Sequence, residues 1–570
     1  MKNSQRLACN CEHSCANREF AIITNGKVEE SAKPTAPAAP QPGVGRSALL
    51  VAAGIFVSRL AGLVRESVFA HFFGSSFAAD AFRAALRIPN FLQNLFGEGV
   101  LSASFIPVYA KLIAQGQKEE SGRVAGAIFS LLAVVTSVLA LAGVLATPYL
   151  IDAIAPGFHG ETRDLTIHLV RIFFPGVSLL VLSAWCLGIL NSHRKFFLSY
   201  ASPVVWNFAI VAALIIFGWN SDVSRLGALA VYAAWASVIG SALQFLVQLP
   251  MVLRLAPAIK LSFGRASQNV KIILGNFVPV FISRGVVQLS AYIDAFLASF
   301  LPQGAVAGLG YAQTLYLLPV SLFGMSISVA ELPAMSSALG SDKEIAESVR
   351  KSITSSTRRI GFFVVPSAVA FLALGDVVAA TIYQSGRFKH ADALYVWSIL
   401  AGSAVGLVAS TVGRLYSSAY YALRDTRTPL RFAMVRVALT TALGYLCALP
   451  LPRLLQIDPK WGVAGLAASA GAAGWVEFLL LRRGMNERIG HIEFPGVYFT
   501  KLWLSAAVAA AIAWGIKLAL HPHRPVLAAL AILVPYGMVY FLLTTLLGID
   551  QAVALARKLD KPVVRVRVRF

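Results

Sequence analysis

From about Ala48 onward the sequence is a succession of apolar runs of helix length, separated by short polar and basic stretches. Hydrocarbon admits a chain only as helices or closed barrels, because every backbone N–H and C=O must be satisfied within the protein. The runs have the length of membrane-crossing helices and lack the short alternating segments of barrel strands. Composition agrees. Of 570 residues, 57% are hydrophobic and 13% charged, and mean hydropathy is +0.69; soluble globular chains are about 25% charged. The chain is therefore read as an all-α polytopic membrane protein. Fourteen spans are expected, beginning near Ala48, Ala79, Val124, Leu165, Leu198, Leu226, Ile272, Ala305, Ile360, Ala393, Phe432, Trp461, Leu502 and Val526.

An even count puts both termini on one side of the membrane. The segments on that side, among them GSDKEIAESVRKSITSSTRR, RDTRTPLR and the tail RKLDKPVVRVRVRF, hold most of the Lys and Arg. Basic loops stay on the cytoplasmic side, so both termini are expected in the cytoplasm. The net charge of +22 then reads as loops facing anionic lipid, not as nucleic-acid binding. Residues 1–46 are polar, end in a Pro/Ala linker and show no apolar signal-peptide core, which predicts a disordered cytoplasmic extension. Within it Cys9, Cys11, His13 and Cys15 form a CxCxHxxxC cluster. It reads as incidental, or as a weak zinc or thiophilic-ion site without standard finger spacing. The five cysteines give no disulfide framework.

The chain also repeats itself. ADAFRAALRIP at 79–89 aligns without gaps with LGYAQTLYLLP at 309–319, and Ser58-Arg59 is echoed by Ser283-Arg284. Two six-helix lobes with two appended helices follow. The expected parts are an N-lobe at 47–255, a linker at 256–271 and a C-lobe at 272–452 completed by a twelfth span at 453–482. A pair of spans at 499–548 and a basic cytoplasmic tail at 549–570 close the chain. Repeats of this kind characterise transporters that rock two bundles around a central site.

The most informative stretch is Ser58 to Lys111. It is mostly apolar, yet it carries Arg59, Arg65, Glu66, Asp80, Arg83, Arg87 and Glu98. An ionisable group at the centre of a bilayer costs about 3 kcal/mol on insertion scales. So many in two consecutive spans point to a water-filled cavity. Arg59 and Glu66 share one helical face, while Arg65 lies about 120° from Arg59. Asp80, Arg83 and Arg87, at i, i+3 and i+7, form one stripe, in which Asp80 and Arg83 are spaced to pair. The surplus of arginine calls for an anion, and the guanidinium fork suits phosphate. Glu98, between Gly97 and Gly99, reads either as a protonatable switch or as a packing residue. In the second half Arg284 and Asp294 lie nearly on one face; Asp294 either coordinates a coupling cation or bridges to Arg284. No Walker loop, HExxH or nucleophile elbow is found, so the chain reads as a transporter without an enzymatic site or cofactor.

The stretch SRLAGLVRESVFAHFFGSSFAADAFRAALRIPNFLQNLFGEGVLSASFIPVYA strongly resembles the second-helix signature of the MurJ/MviN family. YAQTLYLLPVSLFG, YQSGRF at Tyr383–Phe388 and YALRDTRTP at Tyr421–Pro429 match further. The resemblance covers about 48–550. These are lipid II flippases of peptidoglycan synthesis, in the multidrug/oligosaccharidyl-lipid/polysaccharide exporter superfamily. The resemblance implies two lobes around a cationic cavity for the diphosphate and sugar, and a groove at the last two helices for the polyprenyl tail. It also implies an inner-membrane location, with wall-synthesis enzymes as candidate partners. Arg59, Arg65 and Asp80 match the family's functional charges. Two positions depart: Gln93 and Thr314 stand where basic residues are expected, and Arg83 and Arg87 are expected to compensate. The implied cycle is alternating access, with Arg59, Arg65 and Arg83 on the diphosphate and Asp80 positioning the arginines. The rival readings are a flippase for another polyprenyl-diphosphate glycan, a cation-coupled small-molecule exporter and a non-transporting scaffold.

Overall fold

The computed structural model describes residues 44–219, 225–259, 267–328, 331, 335, 341–423, 425–520 and 524–559; the side chains of 44–52, 98–99, 278–280, 282–291, 342 and 558–559 are not described. The Cys9, Cys11, His13 and Cys15 cluster, the tail from 560 onward and the side chains of Glu98 and Arg284 therefore lie outside the described residues.

Among the described residues the chain is helical throughout. The helices are α1 (Val44–Phe73), α2 (Phe77–Phe96), α3 (Glu98–Ala114), α4 (Lys118–Ile154), α5 (Gly160–Ser192), α6 (Phe196–Ala201), α7 (Pro203–Gly218) and α8 (Leu226–Leu255). They continue as α9 (Gln268–Ser299), α10 (Ala305–Pro319), α11 (Asp342–Tyr383), α12 (His390–Ala404), α13 (Leu407–Ala422), α14 (Arg427–Ala448) and α15 (Pro450–Leu454). The last four are α16 (Gly462–Ile489), α17 (Gly496–Ala519), α18 (Pro525–Leu546) and α19 (Asp550–Leu559). Ten helical segments are long and apolar enough to cross a membrane, and α12 with α13, bent by 45°, makes an eleventh. The helix-length α1, α9 and the α2–α3 pair make the layout consistent with fourteen spans.

In the N-terminal half α5 is the central helix. It packs on α2, α3, α4 and α8, and 83% of its most apolar window is buried. In the other half α16 plays the same part against α12, α13 and α14, while α17 and α18 pack on α11. Small residues carry the close approaches, as they must where lipid supplies no hydrophobic drive between helices. The bend between α12 and α13 sets Gly406 against Gly471 of α16, backbone to backbone, where no Cβ fits. Pro319, which lacks an N–H, is followed by a π-helical turn over Val320–Met325. α9 joins the halves: Val270 and Ile273 belong to the core formed by α3, α4, α5 and α8, and its far end packs with α10 and α14.

A half-buried ion pair is among the contacts that tie the C-terminal helices to α11. Lys517 of α17 lies 2.6 Å from Asp376 of α11, two residues past a non-helical Leu374. Trp514 donates its ring N–H to the Ala373 carbonyl at 2.7 Å, and the Lys517 ammonium stands 4.7 Å from that indole.

Gly471→Val would force α13 off α16. The expected cost is about 1–3 kcal/mol of overpacking, read as a lowered unfolding midpoint of the purified protein in detergent. An unchanged midpoint would show that the glycine contact contributes nothing to stability.

Candidate functional site

Two places bring the charges together: a junction between the lobes and a cavity beside it. At the junction the turn between α1 and α2 meets the connections α9–α10 and α11–α12. Asp80, in the first turn of α2, is 3% exposed. Its carboxylate accepts the backbone N–H of Gly304 at 2.6 Å and of Ala307 at 2.7 Å. Those are orphan donors at the start of α10, and a helix N-terminus carries partial positive charge. Tyr311 donates its hydroxyl to the Gly74 carbonyl at 2.8 Å. Arg387 donates its backbone N–H to the His71 carbonyl at 2.8 Å, and Ser67 donates to the Ile382 carbonyl at 2.5 Å. Gly386, at φ +55°, lies flat on His71. Phe388 packs its ring 5.3 Å from Tyr311. The YQSGRF motif is thus part of this junction, as Asp80 and the FGSS turn are.

The cavity lies between the N-terminal helices and α10, with a volume of about 410 Å³. Arg59, Arg65 and Glu66 of α1 line it, with Asn90 and Gln93 of α2, Trp206 and Asn207 of α7, Gln244 of α8, and Thr314 and Ser321 of the α10 segment. Arg59 is exposed. Arg65 lies 2.6 Å from Glu66 and over the Trp206 ring at 4.8 Å. Among the described residues the lining charges are two arginines and one glutamate. Gln93 and Thr314, where basic residues were expected, both face this space.

Several candidates sit elsewhere than the spacing suggested. Arg83 does not line the cavity; it pairs with Glu66 at 2.5 Å from behind the wall. The Asp80–Arg83 pair expected from helical spacing is replaced by this Glu66–Arg83 bridge, because Asp80 is committed to α10. It is Glu66, not Asp80, that restrains the arginines. Arg87 faces Asp294, which is also attracted by Arg436, and the Arg87 carbonyl accepts the Tyr292 hydroxyl at 2.6 Å. Asp294 thus sits in the field of cations from α2 and α14, although Arg436 itself pairs with Glu477 at 3.1 Å. Missed from the sequence were Trp206, Asn207 and Gln244; uncharged polar groups in apolar runs give no pattern to find. The YALRDTRTP motif lies away from the cavity. Asp425 accepts from Thr428 and the Arg427 N–H, each at 3.0 Å, and lies 2.7 Å from Arg488. Desolvation would raise this carboxyl, but those hydrogen bonds and Arg488 hold it below the usual carboxylate range.

A helical membrane protein of two lobes, latched at one end and enclosing a cation-bearing polar cavity, is built as a transporter for a substrate with an anionic group. The family model described as "Lipid II flippase MurJ" matches residues 69–534, and the chain belongs to this MurJ family. The lipid II flippase of Burkholderia cenocepacia is 32% identical over 477 residues, covering 82% of this chain and 89% of that protein. A probable lipid II flippase of Rhizobium tropici is 32% identical over 516 residues, covering 86% and 92%. Among solved structures, a lipid II flippase in an inward closed conformation superposes with a TM-score of 0.72 at 23% identity, covering 90% of this chain and all of that one. A multidrug resistance MATE family transporter of the MOP superfamily, in an inward-facing conformation, gives 0.62 at 17% identity, covering 77% and 98%. These two likenesses speak to the fold.

Asp80→Ala would strand the Gly304 and Ala307 N–H groups, at about 1–3 kcal/mol. The expected result is a loosened junction: Ala305→Cys, buried at 1% exposure in the closed junction, becomes several-fold faster to label with a thiol reagent when Asp80→Ala is added. Equal labelling rates would show that the Asp80 contact does not hold the junction shut.

Proposed function

We propose that the protein is a lipid II flippase, moving the undecaprenyl-diphosphate-linked precursor of peptidoglycan from the cytoplasmic to the outer leaflet of the inner membrane. Family membership over most of the chain supports the substrate. The observation that carries the mechanism is the cavity with Arg59 and Arg65 on its wall. A diphosphate in water is strongly hydrated, and leaving water requires charge-assisted donors; two guanidiniums supply them.

The bias of basic residues supports a cytoplasmic position for both termini. With that orientation the Asp80–α10 junction is the periplasmic gate, closed in this structure. The head group enters from the cytoplasmic side, and Arg59 and Arg65 bind the diphosphate. Amide groups of Asn207, Gln244 and Gln93 replace water around the sugar. The lobes then part at the junction and close behind the substrate, while the polyprenyl tail stays in lipid along α17 and α18. Enzymes that build the precursor inside and polymerise it outside are the partners this cycle needs.

Complementation of a conditional lipid II flippase depletion tests this reading. Wild type is expected to restore growth, and Arg65→Ala at matched membrane level is expected to fail. Rescue by both would remove Arg65 from the site. Failure of well-expressed wild type would overturn lipid II as the substrate.

A further inference from the structure

Among the described residues the cavity wall carries one acid, Glu66, which two arginines share. Glu66 directs one carboxylate oxygen at Arg65, 2.6 Å away, and the other at Arg83, 2.5 Å away. Arg65 and Glu66 border the cavity and Arg83 does not. Arg83 is fixed by packing: its guanidinium lies 4.2 Å from the Tyr311 ring centre and 5.3 Å from that of Phe69. It also fills the notch left by Gly310, where a Cβ would collide with it. A guanidinium does not lose its proton in proteins, so the three groups together carry one surplus positive charge. Without Arg83, Arg65 and Glu66 would be a neutral pair, and an incoming phosphate would have to compete with Glu66 for Arg65. Among the described lining residues only Arg59 adds a further cation, Gln93 and Thr314 being neutral, so that difference is a large part of the positive charge this wall offers.

We infer that Arg83 is a positioning residue acting through Glu66: it neutralises the carboxylate from behind and so leaves the Arg65 guanidinium free to bind a phosphate in the cavity. The inference rests on the reading of this cavity as the diphosphate site. It assigns the compensating charge a role without contact to substrate. Because Tyr311 and Gly310 belong to α10, the C-lobe helps hold Arg83 on Glu66 while the junction is closed.

The test is equilibrium binding of undecaprenyl diphosphate to the purified full-length protein in nanodiscs. Arg83→Met keeps the stem and removes the charge; it is expected to weaken binding about tenfold, the scale of one charge-assisted contact. Glu66→Gln, which removes the acid, is expected to tighten binding several-fold. The double variant Arg83→Met with Glu66→Gln is expected to return to within about threefold of wild type, because no acid remains to occupy Arg65. A wedge or a direct phosphate ligand at Arg83 would leave the double variant as weak as Arg83→Met, and that result would overturn the inference. So would unchanged binding in Arg83→Met. Weakened binding in Glu66→Gln overturns it as well, independently of whether Arg83→Met folds. If wild type binds no undecaprenyl diphosphate, the diphosphate reading of the cavity falls, and this inference with it.

Discussion

An amide N–H at the start of a helix that is buried in protein has no water to bind, and leaving it unpaired costs about 1–3 kcal/mol. The first turn of α10 resolves this by borrowing a carboxylate from the other lobe. Asp80, 3% exposed, would itself be costly to bury without partners, and the two backbone donors of Gly304 and Ala307 satisfy it. Each side of the contact makes the other tolerable. The remaining junction contacts, Tyr311 on Gly74 and Arg387 on His71, cluster around it, and the cavity exists in its present form because this end is shut.

The arginines depend on the same logic. With Asp80 committed to α10, Glu66 becomes the acid that serves them. Arg65 is drawn to the cavity side by Trp206 and Arg83 to the α10 side by Tyr311. Arg87 looks away, toward Asp294 on α9. One stripe of α2 thus distributes its three charges among three destinations: a helix terminus, a shared acid and the second lobe.

Much of this was legible in the sequence. The apolar runs gave the class and the approximate helix starts, since a long apolar helix has few alternatives in a membrane. The density of charge in the first two spans marked the cavity and the junction. What spacing could not supply was partnership. Asp80 to Arg83 is a good helical pair on the wheel, but the backbone amides that claim Asp80 are more than two hundred residues along the chain. Local periodicity is blind to such a competitor. The same limit hid Trp206, Asn207 and Gln244, which become cavity residues only because α7 and α8 pack beside α1. The resemblance of YQSGRF and YALRDTRTP marked both as significant without separating a junction element from a capping loop; their hydrogen bonds make that distinction.

The tie between Lys517 and Asp376 has a mechanical meaning. An ion pair flanked by Trp514 and Trp397 behaves as a rivet, since breaking it would leave the Asp376 carboxylate, 7% exposed, without its cation. α17 must therefore travel with α11, and α18 with α17. In the proposed cycle a rotation of the C-lobe would carry both helices with it, and their exposed apolar side chains, among them Leu504, Leu530 and Met538, would have to displace neighbouring lipid at each turnover.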